Sequence, residues 1–108
     1  MRQRISGKAL QDAAATVAQS KGYLCAHFNP GQVRNGVFVT PFSYQSRGFP
    51  DLLLVGRKTV AVEVKGDGDS LSEDQRRWLE AFTHAGVETL VLTPKTWADG
   101  ALEALLDG

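Results

Sequence analysis

The sequence has a single cysteine, two histidines and no long apolar run, and each shortage excludes a class of protein. Cys25 alone can form no internal disulfide bond, which is typical of proteins in a reducing cytoplasm. One cysteine and two distant histidines, His27 and His84, do not give the ligand spacing of a zinc site. No stretch is apolar enough to span a membrane, and the N-terminus lacks the apolar core of a signal peptide. We therefore expect a cytoplasmic protein that does not associate with membranes.

An excess of charge of one sign is also missing, because 12 basic residues balance 12 acidic ones. The charges are nevertheless separated along the chain. Residues 1–66 carry nine Lys and Arg against three acids, and residues 67–108 carry three against nine. A polyanion would thus approach the N-terminal two thirds, and the acidic end could meet a basic surface of another protomer or stay solvated. Ordinary solvated charge without any partner is the alternative.

The composition is that of one globular domain over residues 1–108, with 43% hydrophobic and 22% charged residues. Ser6 is suited to cap a first helix, and Ser72 with Gln75 forms a capping box for a second. The second helix connects two strands as a crossover, so these strands should be parallel. We expect an α/β sandwich with a mixed sheet and the order α-β-β-β-β-α-β-α. The predicted helices cover residues 7–20, 72–85 and an amphipathic stretch after Pro94, and the predicted strands cover 23–28, 36–40, 52–55, 59–65 and 87–93.

Two β-rich runs, 52–55 and 59–65, flank a short loop that contains Gly56, which is a hairpin signal. If this loop is the turn, residues pair across it about Arg57. The predicted pairs are Val55 with Thr59, Leu53 with Ala61, and Asp51 with Glu63. Two acidic residues twelve positions apart in the sequence are thereby brought opposite each other.

Side chains alternate between the faces of a strand, so Lys65 lies on the same face as Glu63. Asp51, Glu63 and Lys65 should therefore converge on one small patch. Facing carboxylates need a positive charge between them or a raised pKa. A hard divalent cation suits such oxygen ligands. The alternative is a structural salt cluster in which Lys65 and Arg47 balance the two acids.

Asp67 and Asp69 follow the second strand of this hairpin in a glycine-containing stretch. The Asp-x-Asp spacing resembles part of a calcium loop, but the remaining ligand positions and the closing glutamate do not follow. We expect residues 66–70 to form a flexible acidic loop rather than a calcium site.

The sequence around these two acidic residues resembles that of a known family. Pro50-Asp51, eleven further residues and Glu63-Val64-Lys65 resemble the motif of PD-(D/E)xK nucleases. The flanking residues are similar to the VRR-NUC branch of that superfamily, particularly its small stand-alone phage and bacterial members. The resemblance extends from about Ser6 to Trp97 and is supported by Gly48-Phe49-Pro50-Asp51-Leu52, Glu63-Val64-Lys65-Gly66, Leu71-Ser72 through Gln75-Arg76, and Trp78-Leu79.

The resemblance implies a restriction-endonuclease-like α/β sandwich, in which helices flank a mixed β-sheet. It implies a Mg²⁺- or Mn²⁺-dependent endodeoxyribonuclease that hydrolyses phosphodiester bonds, with branched or structured DNA such as Holliday junctions as substrate. Stand-alone members of this kind are expected to be homodimers in the cytoplasm of a bacterial or phage-infected host cell.

The resemblance also implies roles for individual residues. Asp51, Glu63 and the backbone carbonyl of Val64 would hold the metal ion. Lys65 would position or deprotonate the attacking water and stabilise the charge that develops on the phosphate. Gln75 resembles the family's glutamine that orients the scissile phosphate or water, although its part in the capping box explains it equally well.

The predicted DNA contacts come from five polar or basic residues. Gln11 matches a polar position on the family's first helix, and a plain surface glutamine is the alternative. Phosphate contacts require only positive charge and reach, and solvated loop residues would look the same in the sequence. The predicted set is Lys8, Gln11, Arg47, Arg57 and Lys58.

Gly7 departs from the pattern of the family, whose small members usually have an acid four residues before the position of Gln11. Asp12 lies about 100° round the helix from Gln11 and is a poor substitute. The chain could work with two carboxylates and a backbone carbonyl, its site could be weakened, or the natural residue could have been replaced. Gly7 thus favours the alternative of a nuclease-fold module that binds nucleic acid without turnover. A small structural protein whose acids form only salt bridges is a third interpretation.

Overall fold

A computed structural model describes residues 5–28, 32–34, 37–39 and 45–108. For residues 32–34 and 37–39 it describes the course of the backbone. None of the helices in this described part of the chain has the length and apolar character that crossing a membrane requires. The helices are α1 Gly7–Ser20, α2 Glu73–His84, α3 Pro94–Ala98 and α4 Ala101–Asp107, and the strands are β1 Leu24–His27, β2 Gln32–Arg34, β3 Val37–Val39, β4 Leu52–Val55, β5 Thr59–Val64 and β6 Glu88–Leu92.

The central sheet has four strands in the order β1-β4-β5-β6. β1 pairs with β4 and β4 with β5 in antiparallel fashion, whereas β5 and β6 are parallel. The parallel pair follows from the α2 crossover, as the sequence predicts. Val55 pairs with Thr59 and Leu53 with Ala61, so the predicted register of the hairpin is confirmed. The mixed sheet and its flanking helices confirm the predicted fold class.

One face of the sheet packs against α1 and α4. Ser6 caps α1 by accepting a hydrogen bond from the N–H of Ala9 at 3.1 Å, and helical spacing then aligns the apolar residues of α1 on one side. Burial of these side chains against alternate residues of β4, β5 and β6 forms the main core. Its buried members are Leu10, Ala14, Ala18, Tyr23, Leu52, Leu54, Val60, Val62, Val64, Leu92, Leu102 and Leu106.

The other face of β5 is covered by α2, so β5 is buried on both sides. The capping box at the start of α2 is present, with Ser72 and Gln75 each bonding the backbone of the other. Leu79 of α2 is buried, whereas Trp78 and Phe82 are half-buried. Two-sided cover explains why every residue from Val60 to Val64 is buried. It also encloses Glu63, which alternation places on the α2 face.

The element order differs from the predicted one in two places. The stretch after Pro94 is two short helices rather than one, because Gly100 adopts a left-handed conformation with φ 75° and interrupts the helix. Gln32–Arg34 forms an additional strand, which pairs with Val37–Val39 in a separate two-stranded sheet. A three-residue strand with one apolar residue gives no periodicity to detect. The predicted ends of the 36–40 strand, Gly36 and Thr40, lie outside the described residues.

The loop before Asp51 lies directly on the start of α2. Gly48 has φ 83°, and a Cβ atom there would lie 2.5 Å from the carbonyl carbon of Asp74 and 2.7 Å from the nitrogen of Gln75. The indole N–H of Trp78 donates to the carbonyls of Gln45 and Arg47 at 2.9 and 3.1 Å. The chain that enters the hairpin is therefore fixed to the helix that covers Glu63.

We expect Gly48→Ala to destabilise the protein strongly, with Gly86→Ala as the matched control. Gly86 has nearly the same φ, 85°, but its added Cβ would meet nothing within 4 Å. Gly86→Ala should therefore cost only the backbone strain, about 1–2 kcal/mol. Gly48→Ala should cost roughly 2 kcal/mol more, because the methyl group must displace the backbone of α2. Urea unfolding of both variants measures the difference, and equal losses would contradict the close approach of the loop to α2.

Candidate active site

The two acids predicted to face each other do so in the structure. Asp51 immediately precedes β4, and Glu63 lies near the end of β5. A carboxylate oxygen of Asp51, Oδ2, accepts the N–H of Val64 at 2.8 Å, which fixes the Asp51 side chain across the hairpin. The carboxyl groups of Asp51 and Glu63 lie close enough for Asp51 to raise the pKa of Glu63, in addition to the larger effect of burial. The hairpin register alone thus assembles a carboxyl pair at one end of the sheet.

Glu63 is a buried acidic residue, and burial disfavours its charged form. Its side chain is 1% exposed, and burial raises the pKa of its carboxyl group to about 9, with further contributions from Asp51. The charge of Lys65 lowers this pKa. Among the described residues, Glu63 Oε2 has no hydrogen-bond partner. A buried carboxyl oxygen without a partner is costly, and a cation beside it would remove the cost.

The carbonyl of Val64 is available as a third oxygen ligand for a structural reason. Along a strand, the N–H and C=O of one residue point to the same side, and the Val64 N–H points towards Asp51. The Val64 carbonyl therefore points towards the position of Pro50. Proline has no N–H to donate. Pro50 thus interrupts the ladder where two carboxylates meet, and it leaves the carbonyl without the partner that another residue would provide.

This donor set fits a hard divalent cation. It consists of the carboxylates of Asp51 and Glu63 and the carbonyl of Val64, which are all oxygen atoms. Mg²⁺ usually binds to one or two carboxylates and completes its coordination with water and phosphate oxygens. In the described part of the chain, no group of three His, Cys, Asp or Glu side chains comes together. The arrangement therefore suits a magnesium-like ion that keeps several waters rather than a site enclosed by protein ligands.

Lys65 brings a positive charge to the same patch. Its backbone N–H donates to the carbonyl of Leu92 at 2.8 Å, so β6 holds the residue in the extension of β5. Its side chain shares the face of Glu63, two residues away. Because Lys65 is half-buried, its ammonium group can act on the carboxyl pair while remaining accessible from solvent.

Gln75 takes part in the predicted capping box and also contacts Glu63. Its side-chain oxygen accepts the N–H of Ser72 at 2.8 Å in the capping box. Its amide nitrogen lies 3.4 Å from Glu63 Oε1 and donates to it. The cap holds the Gln75 side chain in one conformation, so the helix start positions an amide against the carboxyl of Glu63.

Position 7 lies next to the end of the β5 strand. A Cβ atom on Gly7 would lie 3.7 Å from the nitrogen of Gly66, which is an ordinary contact. A side chain at position 66 would not fit in the same way, because a Cβ on Gly66 would lie 2.8 Å from the nitrogen of Gly7. The first residue of α1 thus packs against the residue that follows Lys65. Asp12 is directed elsewhere, since it pairs with Lys8 at 3.0 Å on the exposed side of α1.

The acidic loop after Lys65 is hydrogen-bonded to the residue that precedes Ser6 and α1. The carboxylate of Asp67 accepts the N–H of Ile5 at 3.2 Å, and the Ile5 carbonyl accepts the N–H of Asp67 at 3.4 Å. The carboxylate of Asp69 accepts the N–H of Gly66 at 3.0 Å. These carboxylates bind backbone N–H groups, which explains the Asp-x-Asp spacing without calcium. The loop that was predicted to be flexible is instead hydrogen-bonded to Ile5, just before α1.

Gln11 lies one helical turn from Gly7 and contacts a residue that the sequence did not indicate. Its side-chain amide is 2.8 Å from Nε2 of His27. His27 pairs with Leu52, and the next residue of the chain, Phe28, donates its N–H to the Asp51 carbonyl at 3.1 Å. His27 therefore lies beside the start of β4. This position depends on β1 being the neighbour of β4, which no local pattern reveals.

The predicted basic contacts divide into two groups. Lys8 lies in the first turn of α1, and the backbone of Arg47 is fixed to Trp78. Arg57 and Lys58 lie at the turn of the hairpin, at the opposite end of its strands from Asp51 and Glu63. Arg57 donates to the carbonyls of Leu106 and Gly108, and Lys58 donates to the Leu105 carbonyl and to Glu88. The proposed DNA contact of Arg57 and Lys58 gains no support from this placement.

Comparisons with known proteins give matches over part of the chain. Residues 37–95 match the sequence model of the VRR-NUC domain family. A 47-residue stretch is 55% identical to the Fanconi-associated nuclease 1 homolog of Caenorhabditis briggsae and 49% identical to that of Caenorhabditis elegans. Each alignment covers 41% of this chain and 5% of the relative, so the chain corresponds to a small part of these proteins. No solved structure matches the chain.

The raised pKa of Glu63 predicts how stability depends on pH in the absence of metal. The folded state keeps the proton up to about pH 9, whereas the unfolded chain loses it near the ordinary value of 4.5. The free energy of unfolding should therefore fall as pH rises between these values, by at most about 1.4 kcal/mol per pH unit from this group. Glu63→Gln cannot ionise and should lose this dependence, so it should be more stable than the unaltered protein at alkaline pH.

Thermal unfolding in EDTA across this pH range measures the effect. Glu80→Gln is the matched control, because Glu80 is exposed on α2. It should leave the pH dependence unchanged. A parallel pH profile for Glu63→Gln and the unaltered chain would contradict the assigned burial of the Glu63 carboxyl.

Proposed function

Since the chain belongs to the VRR-NUC domain family, we propose that it is a metal-dependent nuclease that hydrolyses phosphodiester bonds in DNA. The observation that carries this proposal is the buried carboxyl of Glu63, placed beside Asp51 with one oxygen lacking a partner. A structural salt cluster would pair both oxygens of such a group with basic side chains. A site that binds a cation leaves them for the cation.

The roles of the residues follow from their positions. Asp51, Glu63 and the Val64 carbonyl would hold Mg²⁺ or Mn²⁺, which supplies a Lewis acid for the phosphoryl oxygen and lowers the pKa of bound water. Lys65 places its ammonium group next to this centre, where it can orient the attacking water and stabilise the negative charge that develops on the phosphate. Gln75 holds one oxygen of Glu63, so the other oxygen is turned towards the metal position.

The substrate follows from the relatives and from the charges at the site. The two relatives reported above are named as nucleases, and the site needs an anionic substrate that brings phosphate oxygens to the metal. We propose DNA as the substrate class, with branched or structured DNA such as a Holliday junction as the preferred form.

We also propose that the chain acts as a homodimer. β1 is an edge strand of the central sheet. Leu24 of β1 and its partner Val55 of β4 are 77% and 43% exposed, side by side on the sheet. A second copy could cover this apolar pair, and two sites in one assembly suit a substrate with two strands to cut.

A catalytically weakened module that binds nucleic acid is the second candidate, and Gly7 favours it. By resemblance, small members of the family usually have an acid at this position, and a Cβ atom here would contact the nitrogen of Gly66, just after Lys65. The missing acid would therefore lie close to the end of β5.

Cleavage of labelled DNA should require both the metal and Lys65. With Mg²⁺ or Mn²⁺, the chain should cut duplex, flapped or four-way DNA, and EDTA should abolish the reaction. Lys65→Ala should lower the rate about 100-fold or more, because a preorganised charge at the phosphate is lost. Asp51→Asn should also abolish cutting.

The matched control is Lys21→Ala, because Lys21 lies at the other end of α1 and pairs with Asp107. It should cut as fast as the unaltered chain. Circular dichroism should show that the site variants remain folded. Full activity in both Lys65→Ala and Asp51→Asn would overturn the proposed mechanism.

Restoring the acid at position 7 separates the two candidate functions. The Cβ atom of Gly7→Glu would make only an ordinary contact, and the carboxylate would lie in the first turn of α1, which has no acid. An acid in this turn stabilises a helix by about 0.3–1 kcal/mol. The substitution should raise the rate of cutting, whereas Gly7→Gln, of equal size, should not. If the unaltered chain is inactive and Gly7→Glu cuts DNA, the natural site lacks one ligand. If neither protein cuts DNA, the result supports the module that binds nucleic acid without turnover.

A further inference from the structure

An open groove runs along the outer side of α2 and does not contain the carboxyl pair. Its volume is about 470 Å³, and its walls are the outer face of α2 and the loop that leads to Asp51. The lining residues used below are Arg47 from the loop, and Asp74, Arg77, Trp78, Glu80 and His84 from the helix. The groove is thus distinct from the metal position but shares both of its supporting elements.

One end of the groove lies at the start of α2, where Asp74 precedes Gln75, whose amide contacts Glu63. Asp74, Arg77 and His84 recur at helical spacing, so the groove follows the axis of α2 away from the site. Ten residues of helix span roughly 15 Å. That length accommodates about two nucleotides of an extended strand that continues from a phosphate bound at the metal.

The walls of the groove are held in place without a ligand. Trp78 donates its indole N–H to two carbonyls of the loop, at Gln45 and Arg47. Its ring packs edge-on against Phe49, with ring centres 4.9 Å apart, and Gly48 allows the backbones of loop and helix to touch. The site is therefore preformed, which reduces the entropy lost on binding.

The charges indicate the chemistry of the occupant. Arg47 and Arg77 supply two guanidinium groups, and Asp74 and Glu80 supply two carboxylates. Such a lining disfavours a simple anion. It suits a nucleotide, whose phosphate accepts from arginine and whose base has amino groups that donate to carboxylates.

Arg77 is the side chain best placed to bind phosphate. It is 68% exposed, and its distance to Asp74 is 3.8 Å, which is a weak contact. An exposed ion pair of this length contributes little to stability, so Arg77 can turn to a ligand at little cost.

We propose that this groove binds the DNA strand on one side of the scissile phosphate, and that Arg77 contacts a backbone phosphate there. The proposal rests on the proposed nuclease function, because it is the cut strand that continues from the metal into the groove. It assigns Arg77 a role in substrate positioning that the motif residues do not have.

The chain offers a matched control at the next residue. Arg76 and Arg77 are both exposed on α2 and have the same charge, but only Arg77 lines the groove. The test compares Arg77→Ala with Arg76→Ala for binding of fluorescein-labelled single-stranded and duplex DNA, in EDTA so that no cutting occurs. Fluorescence anisotropy over a range of salt concentrations measures affinity and its salt dependence.

Arg77→Ala should weaken binding about tenfold and should lower the slope of log affinity against log salt by about one. Arg76→Ala should change both much less, and unfolding curves should confirm that both variants are folded. Glu80→Gln should strengthen binding, because it removes a carboxylate beside the strand. Equal effects of Arg76→Ala and Arg77→Ala would overturn the proposal.

Cleavage assays of the same variants distinguish the two proposals. If Lys65→Ala abolishes cutting but the two arginine variants bind DNA alike, the nuclease function stands and the groove assignment fails. If no metal gives cutting by the unaltered chain but Arg77→Ala alone loses DNA binding, the groove stands and the nuclease function fails.

Discussion

Glu63 keeps its carboxyl group in the interior, where water cannot solvate it, and the surrounding structure is arranged around that position. β5 is covered on both faces, so a residue pointing to either side is enclosed. Gln75 donates to one carboxyl oxygen, and Asp51 raises the pKa of the group rather than neutralising its charge. The resulting group is neutral in the metal-free protein, and in the proposed mechanism it would exchange its proton for a cation. The affinity for that cation would then depend on the packing of α2 on the sheet.

Three separate contacts keep α2 and α1 in register with the hairpin. Gly48 and Trp78 fasten the entering loop to α2, and the Asp67 carboxylate fastens the chain at Ile5 to the end of β5. Each contact uses a backbone group, so its geometry is set by the course of the chain rather than by a flexible side chain. Rigid placement of this kind would matter at the proposed metal centre, because small displacements of a ligand are costly.

The residues that the sequence placed correctly depend on local patterns. The pairing of Leu53 with Ala61 follows from alternation about a short turn, and the Ser72 capping box follows from a four-residue signal. Position 7 and His27 needed tertiary contacts, with Gly66 and with the start of β4, that no local pattern contains. The placement of Arg57 and Lys58 far from the two acids also follows from the hairpin. A hairpin that sets Asp51 opposite Glu63 also sets its turn roughly 20 Å away at about 3.3 Å per residue. The break of the C-terminal helix at Gly100 was equally visible, since glycine favours a helix end.

The two ends of the described chain leave the domain at opposite poles. Ile5 is tied to Asp67 beside the carboxyl pair, whereas the Gly108 carbonyl accepts from Arg57 at the hairpin turn, the far end of the sheet. An affinity tag or a fused domain attached after Gly108 would therefore project away from the substrate. The same addition ahead of Ile5 would emerge next to the proposed metal ligands, where it could obstruct DNA or, in a larger architecture, control access to it.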